Sequence, residues 1–143
     1  MLIPSKHKEA MLKILQKMYL DSVLRTSLGF KGGTAAMFFY GLPRMSVDLD
    51  FDLLDVSKKE EVMERMKKVV KTMGRIDEAI EKKYTLFFMV SYEKGQHAVK
   101  IEISKRGNGA KFEPKNFMGM TLLVMTKEDM VAGKMAALLE RKQ

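Results

Sequence analysis

Apolar residues recur at helical spacing in several parts of the chain. The first such stretch runs from about Ser5 to Leu20, and its inner face consists of Met11, Ile14, Leu15 and Met18. A second, short stretch begins at Gly33-Thr34 and ends at Gly41. Its body is apolar on all sides, which predicts a buried helix.

Two further helices have recognisable starting signals. Ser57-Lys58-Lys59-Glu60 has the spacing of a capping box, in which Ser and Glu satisfy the first backbone N–H groups. This helix is expected to stop at Gly74, and its inner face is Val62, Met66, Val69, Val70 and Met73. The last helix opens at Thr126, with Asp129 three residues later, and is expected to run to the end of the chain.

Four segments have the alternation or the composition of β-strands, namely 47–53, 84–92, 99–104 and 122–124. The turn-forming residues 93–96 predict a hairpin between the second and third of them. The length of the chain fits one domain over residues 1–143. The mixture of elements predicts an α+β fold, with one mixed sheet and helices packed on it.

Composition narrows the class of protein. Of the 143 residues, 46% are hydrophobic and 31% are charged, which is typical of a folded globular chain. The absence of cysteine excludes disulfides and thiolate metal sites. There is no apolar run long enough to span a membrane and no apolar leader at the N-terminus, so we expect a cytoplasmic protein. The net charge of +8 favours anionic partners such as nucleotides or nucleic acid, unless the chain is merely a soluble basic protein.

The first predicted strand concentrates negative charge. Asp48, Asp50 and Asp52 alternate with apolar residues, so all three carboxylates are expected on one face. Their mutual repulsion raises a pKa unless a cation neutralises it, and oxygen ligands of this kind suit Mg²⁺ or Mn²⁺. Glu102 lies in a strand with the same alternation and is able to face the same site. The alternative is a solvated edge strand with an acidic wet face.

A glycine pair precedes the short second helix. Gly32 and Gly33 allow a tight turn and a close approach of the backbone to a ligand. The backbone N–H groups at the start of the next helix are suited to binding a phosphate. Thr34 either donates its hydroxyl to a phosphate oxygen or serves as an ordinary helix N-cap. The turn through Gly41 and Pro43 leads the chain straight into the acidic strand. A phosphate cradle is therefore expected beside the metal ligands.

A basic segment separates the third and fourth predicted strands. Residues 104–115 mix Lys and Arg with glycines and Phe112, a composition able to bind RNA backbone and stack bases. The same composition is typical of a mobile, solvated loop. His7 and His97 are isolated in the sequence and suggest no role.

These motifs resemble those of the polymerase-beta type of nucleotidyltransferases. The match consists of Gly32-Gly33-Thr34 followed by Arg44-Met45-Ser46-Val47-Asp48-Leu49-Asp50-Phe51. The motif Lys-Gly-Gly-Thr-Ala, followed by Arg-x-Ser-x-Asp-x-Asp-Phe, looks most like that of the AbiEii toxin group. Members of this group belong to toxin–antitoxin and phage-defence systems. A weaker match covers residues 99–104 and the last helix.

The resemblance implies a set of roles. Asp48 and Asp50 would hold two Mg²⁺ ions, and Glu102 would be the third carboxylate and a possible acceptor of the proton of the attacking hydroxyl. The glycine turn with Thr34 would cradle the β- and γ-phosphates of an NTP. The reaction would be in-line transfer of a nucleoside monophosphate with release of pyrophosphate.

The resemblance also extends to Arg44, Ser46 and Lys134 as nucleotide-binding residues. Arg44 either pairs with phosphate or braces the strand. Lys134 either faces the nucleotide, with room left by Gly133, or is a surface lysine.

Partners and activity follow from the same resemblance. RNA, above all tRNA, is the favoured acceptor, and an antitoxin protein is a further expected partner. Larger members continue beyond the last helix and carry an Arg-Asp motif there. The chain is therefore a minimal core, a truncation, or a catalytically silent module that binds nucleotide or protein with the same fold.

Overall fold

One mixed seven-stranded sheet organises the protein, in the order β3-β4-β5-β2-β1-β7-β6. The computed structural model describes residues 5–43, 45–93, 97–107 and 109–133. The strands are β1 (Leu28–Lys31), β2 (Leu49–Leu53), β3 (Arg75–Glu81), β4 (Thr85–Glu93), β5 (His97–Ser104), β6 (Phe112–Phe117) and β7 (Met120–Met125). The predicted α+β fold with a single mixed sheet is confirmed.

The helices are α1 (Ser5–Leu20), α2 (Ser22–Ser27), α3 (Gly32–Tyr40) and α4 (Lys59–Met73), with a 3₁₀ turn at Val56–Lys58 and a last helix, α5, whose described part is 127–133. Helices α1, α2 and α4 pack on one another and on the sheet, whereas α3 packs on β1 and β2. Among the described residues, no helix is long and apolar enough to cross a membrane.

Strand β2 occupies the centre of the sheet. It runs parallel to β5 on one side and antiparallel to β1 on the other. Its apolar residues Leu49, Phe51 and Leu53 are at most 3% exposed, as the alternation predicts. The alternative of a solvated edge strand is wrong, because both edges of β2 are paired.

The predicted inner faces of α1 and α4 are buried, with Met73 only half-buried at the end of α4. The predicted capping box at Ser57 is wrong. Asp55 precedes the 3₁₀ turn, and its carboxylate accepts hydrogen bonds from the backbone N–H and the hydroxyl of Ser57. The short Asp side chain reaches these nearby donors, so it takes the capping role two residues before Ser57.

Two other local expectations differ from the structure. Helix α3 has its predicted limits and ends at Gly41 in the left-handed conformation, but most of its body is half-buried rather than buried. The basic segment is not a loop throughout, because its end forms the edge strand β6, paired with β7. The ring of Phe112 in β6 lies so close to Gly29 that it leaves no space for a side chain there.

Substitution of Gly74 tests the packing of α4 on the sheet. A Cβ atom at Gly74 would overlap the backbone carbonyl oxygen of Ser91, which has no freedom to swing away. We expect Gly74→Ala to lower the free energy of unfolding by about 2–3 kcal/mol in urea titrations. Gly107→Ala is the matched control, since a Cβ there meets nothing within 4 Å. Equal stabilities of the two variants would contradict the described packing.

Candidate active site

Asp50 and Glu102 lie side by side at the centre of the sheet. The parallel register of β2 and β5 pairs Asp50 with Glu102 and, on either side, Leu49 with Ile101 and Phe51 with Ile103. The apolar members of these pairs are buried, so alternation turns the two carboxylates to the opposite, accessible face. Asp48, just before β2, contributes a third carboxylate that remains 41% exposed.

Burial and neighbouring charges act together on the Asp50 carboxyl. Burial, followed by the negative charges of Glu102 and Asp48, raises the pKa of Asp50 to about 6. Lys31 and Lys100 oppose this rise with their positive charges but do not cancel it. A carboxyl held this far above its ordinary pKa marks a site that is short of positive charge.

A lysine lies between two of the carboxylates. Lys100 Nζ is 3.6 Å from Asp48 Oδ2 and 3.9 Å from Glu102 Oε1. In the part of the chain that the structure describes, no three Asp, Glu or His side chains converge at ligating distance on one point. Sequence reasoning missed Lys100, although its position two residues before Glu102 places it on the same face of β5.

Asp52, the third acidic residue of β2, has a separate partner. Its side chain is 5% exposed, and its Oδ1 lies 2.5 Å from Lys31 Nζ. Since this charge is buried and already paired, Asp52 belongs to the scaffold beneath the turn rather than to the exposed acidic group.

The glycine turn presses against the acidic strand. Gly32 has a φ of +83°, and a Cβ atom there would lie 2.7 Å from Asp50 Oδ2. A Cβ atom at Gly33 would lie 2.8 Å from Ser46 Oγ. Gly32 is therefore required for the chain to approach the Asp50 carboxylate, and Gly33 is required for it to approach Ser46, beyond any contact with a ligand.

Thr34 ties this turn to the segment before β2. Its buried hydroxyl lies 2.9 Å from Ser46 Oγ and donates to the carbonyl oxygen of Asp48. Thr34 is not the N-cap of α3, since Lys31 occupies that position without a side-chain cap. The contact keeps Asp48 beside the turn, a role that the sequence pattern alone does not distinguish from phosphate binding.

His7 holds the same segment from the other side. Its Nε2 donates to the carbonyl oxygen of Val47 at 2.8 Å, which leaves Nδ1 to accept from the Tyr92 hydroxyl at 2.9 Å. His7 is 8% exposed. No local pattern indicates this role, because both partners are distant along the chain. The burial of a polar imidazole ring on α1 is the structural sign of it.

A cleft of about 720 Å³ opens on the far side of the glycine turn. Lys31, Gly32 and Gly33 form one wall of this cleft. The others come from α3, the end of β7 and α5, and include Ala36, Tyr40, Met125, Met130 and Gly133. Its size and mixed lining suit a small organic ligand. Tyr40 is fixed in the wall by donating its hydroxyl to the carbonyl oxygen of Met125 at 2.8 Å.

Two expected nucleotide-binding residues, Arg44 and Lys134, lie outside the described residues. The structure brings together the others: Gly32, Gly33, Thr34 and Ser46 at the turn, next to Asp48, Asp50 and Glu102. The arrangement joins a glycine turn at a helix N-terminus, three neighbouring carboxylates and a ligand-sized cleft.

The raised pKa of Asp50 predicts a pH dependence in metal-free protein. Its folded pKa of about 6 lies above the unfolded value, so the folded state binds the proton more tightly and stability falls as pH rises from about 4 through 6. Asp50→Asn should remove this loss and stabilise the metal-free protein by roughly 1–2 kcal/mol at pH 7.5, after allowance for solvent screening.

Denaturant titrations with EDTA at pH 5 and pH 7.5 measure the effect. Asp77→Asn is the control, because hydrogen bonds from Ser91 and Arg75 lower the pKa of Asp77. Removing this carboxylate should lower the free energy of unfolding at pH 7.5, the opposite of the effect expected for Asp50→Asn. A pH dependence unchanged by Asp50→Asn would contradict the described electrostatics.

Two solved structures from Helicobacter pylori share this fold. JHP933 is 24% identical with a TM-score of 0.61, and the match covers 90% of this chain and 54% of that protein. The second, described as a candidate nucleotidyltransferase, is 23% identical with a TM-score of 0.62, over 92% of this chain and 59% of its own. This chain thus spans little more than half the length of either protein. No curated protein matches it.

A family model places the chain more narrowly. The model described as "Nucleotidyl transferase AbiEii toxin, Type IV TA system" matches residues 13–143, which include the glycine turn, the acidic strand and the cleft. This agrees with the motif resemblance of the sequence. The chain belongs to the AbiEii family of nucleotidyltransferase toxins.

Proposed function

We propose that this protein is a Mg²⁺-dependent nucleotidyltransferase that moves a nucleoside monophosphate from an NTP to an acceptor hydroxyl. The observation that carries the proposal is the position of Asp50. Its carboxylate is crowded by Glu102 and Asp48, short of positive charge, and in contact range of the glycine turn. Acidic oxygens beside a phosphate-binding turn are the combination that nucleotidyl transfer requires.

In this proposal, one group of residues would bind the nucleotide and another would bind the metal ions. The backbone N–H groups that follow Gly32 and Gly33, at the N-terminus of α3, would bind the β- and γ-phosphates. The nucleoside would lie in the cleft against Tyr40 and Met130, where apolar side chains cover its faces. Thr34 would act by holding Asp48 to the turn rather than by touching phosphate, because its hydroxyl is buried and already bonded.

Asp48, Asp50 and Glu102 would hold the metal ions. The raised pKa of Asp50, caused by burial and then by the charges of Glu102 and Asp48, supports this assignment, because a divalent cation would offset both effects. A two-metal centre stabilises the attacking and leaving oxygens of an in-line displacement; Mn²⁺ suits the same oxygens. The acceptor oxygen would bond to the α-phosphorus while the bond to the β-phosphate oxygen breaks and pyrophosphate leaves. Glu102, 39% exposed, would take the proton of the acceptor hydroxyl.

RNA is our proposed acceptor, with tRNA favoured. Cations and aromatic rings lead away from Glu102 over the sheet: Phe87 is its register partner on β4, and Lys82 Nζ lies 4.1 Å from the Phe87 ring. Farther along, the Arg106 guanidinium lies 3.7 Å from the exposed Tyr84 ring. Phe87 is only 6% exposed, so the exposed Tyr84 ring is the one that suits a base, whereas the cations suit the phosphates of a single strand. Lys105 is committed to Glu81 at 2.8 Å, so it contributes less than its sequence position suggests.

The biological setting rests on the family description. A toxin of a type IV toxin–antitoxin system is the proposed role, with an antitoxin as the proposed partner. Because NTPs, Mg²⁺ and tRNA are abundant in the cytoplasm, the proposed reaction implies action there. A catalytically silent module with the same fold is the alternative, and the activity measurement below separates the two.

Asp50→Asn should abolish NTP-dependent transfer while the fold is retained. The change removes a charged oxygen ligand and hardly alters volume, so we expect a loss of at least about 100-fold in the incorporation of α-labelled NTP into RNA. Asp77→Asn on the edge strand β3 is the control and should keep full activity. If the variant were as active as the wild type, Asp50 would not be a metal ligand; a wild type inactive on all acceptors would favour the silent module.

Neutralising the cations near Glu102 should weaken RNA binding at all sequences alike. We expect the triple variant Lys82→Gln, Lys83→Gln and Arg106→Gln to reduce the salt dependence of affinity, with a log–log slope smaller by about 2. Fluorescence anisotropy with labelled RNA measures this.

The control triple, Lys67→Gln, Lys68→Gln and Lys71→Gln, removes the same charge from the exposed side of α4, away from Glu102. Equal loss in both triples would mean that only net charge matters. RNA affinity independent of salt would rule out this acceptor surface and favour a protein hydroxyl.

A further inference from the structure

The acidic site contains a cation of its own. Lys100 contributes the only ammonium among the described residues that forms ion pairs with Asp48 or Glu102. Lys31, the other nearby lysine, is committed to the buried carboxylate of Asp52 at 2.5 Å. The two lysines therefore differ in their contacts. Lys31 forms a close, buried ion pair, whereas Lys100 forms longer ion pairs with the exposed carboxylates.

The contacts of Lys100 are those of an ion that is easily displaced. Its distances of 3.6 and 3.9 Å to Asp48 and Glu102 exceed the length of a hydrogen bond. The side chain is 37% exposed, and exposed pairs of this kind contribute little stability. A divalent ion coordinates carboxylate oxygens directly, at about 2.0–2.1 Å for Mg²⁺. The ion and the ammonium therefore compete for the same two carboxylate groups.

The position of Lys100 on β5 allows its side chain to move away from the carboxylates. It lies two residues before Glu102 on the same face of β5, about 7 Å away along the strand, on a long flexible side chain. The side chain is 37% exposed, so part of it already faces solvent. The ammonium is therefore able to leave the carboxylates without any change in the backbone.

We propose that Lys100 is the counter-ion of Asp48 and Glu102 in the metal-free protein and that a divalent cation binds by displacing it. This inference rests on the proposed function, since it assigns a metal to the same carboxylates. Lys100 thus positions the ligands before the ion arrives and weakens the binding of free metal by competition. Entry of the ion and departure of the lysine are one exchange.

Binding of Mn²⁺ without nucleotide tests the exchange, with the free ion measured by electron paramagnetic resonance. We expect Lys100→Met to bind Mn²⁺ about three- to tenfold more tightly than the wild type, because the competitor is gone. Its metal-free form should melt at a lower temperature than the wild type, with the difference removed by saturating Mn²⁺. Lys100→Arg, which keeps the competing charge, should bind within about twofold of the wild type.

Two controls separate this proposal from general electrostatics and from the proposed function. Lys59→Met removes an ion-paired lysine of similar exposure that contacts Glu81 away from the site, and it should leave Mn²⁺ affinity unchanged. Asp50→Asn should lose Mn²⁺ binding. If Lys100→Met binds Mn²⁺ no more tightly than Lys59→Met while Asp50→Asn loses it, the exchange is overturned and the metal site stands. If the wild type, Lys100→Met and Asp50→Asn all fail to bind Mn²⁺, the proposed function is overturned together with the exchange.

Discussion

Repulsion among three carboxylates at the centre of the sheet is the constraint on which the rest of the site depends. Asp50 is partly buried between Asp48 and Glu102, and its pKa is raised first by burial and then by the charges of these two neighbours. Placing the Asp50 carboxylate on a central strand costs free energy, because backbone pairing on both sides of β2 prevents the strand from shifting to separate the charges. The cost is consistent with a functional site, where stability is given up for a ligand.

The surroundings of the carboxylates hold them in place. Gly32 and Gly33 bring the turn within van der Waals range of the acidic strand, Thr34 bonds the backbone of Asp48, and His7 fixes the carbonyl of Val47. These contacts come from two distant parts of the chain, α1 and the glycine turn that opens α3, and meet on one short segment. Such support keeps the carboxylates near one another despite their repulsion. Electrostatic catalysis requires preorganisation of this kind.

Much of this arrangement was predictable, and the failures have physical reasons. The alternation in β2 and β5 correctly indicated the buried apolar residues, and so placed Asp50 and Glu102 on one face, but it did not indicate that Asp52 is buried as well. Strand β3 was missed because it is an edge strand with mostly exposed residues, and β6 because Pro114 interrupts its pattern. The roles of His7 and Lys100 depend on partners brought together by the fold, and no local pattern carries that information.

The central claim is that Asp48, Asp50 and Glu102 bind metal beside a triphosphate on the glycine turn. Crystals soaked with Mn²⁺ and a non-hydrolysable NTP, with diffraction data recorded at the manganese absorption edge, test it most directly. The account predicts anomalous density in contact with these three carboxylates, phosphates against Gly32 and Gly33, and the nucleoside in the cleft beside Tyr40. A triphosphate bound elsewhere, or manganese density away from Asp50, would contradict it.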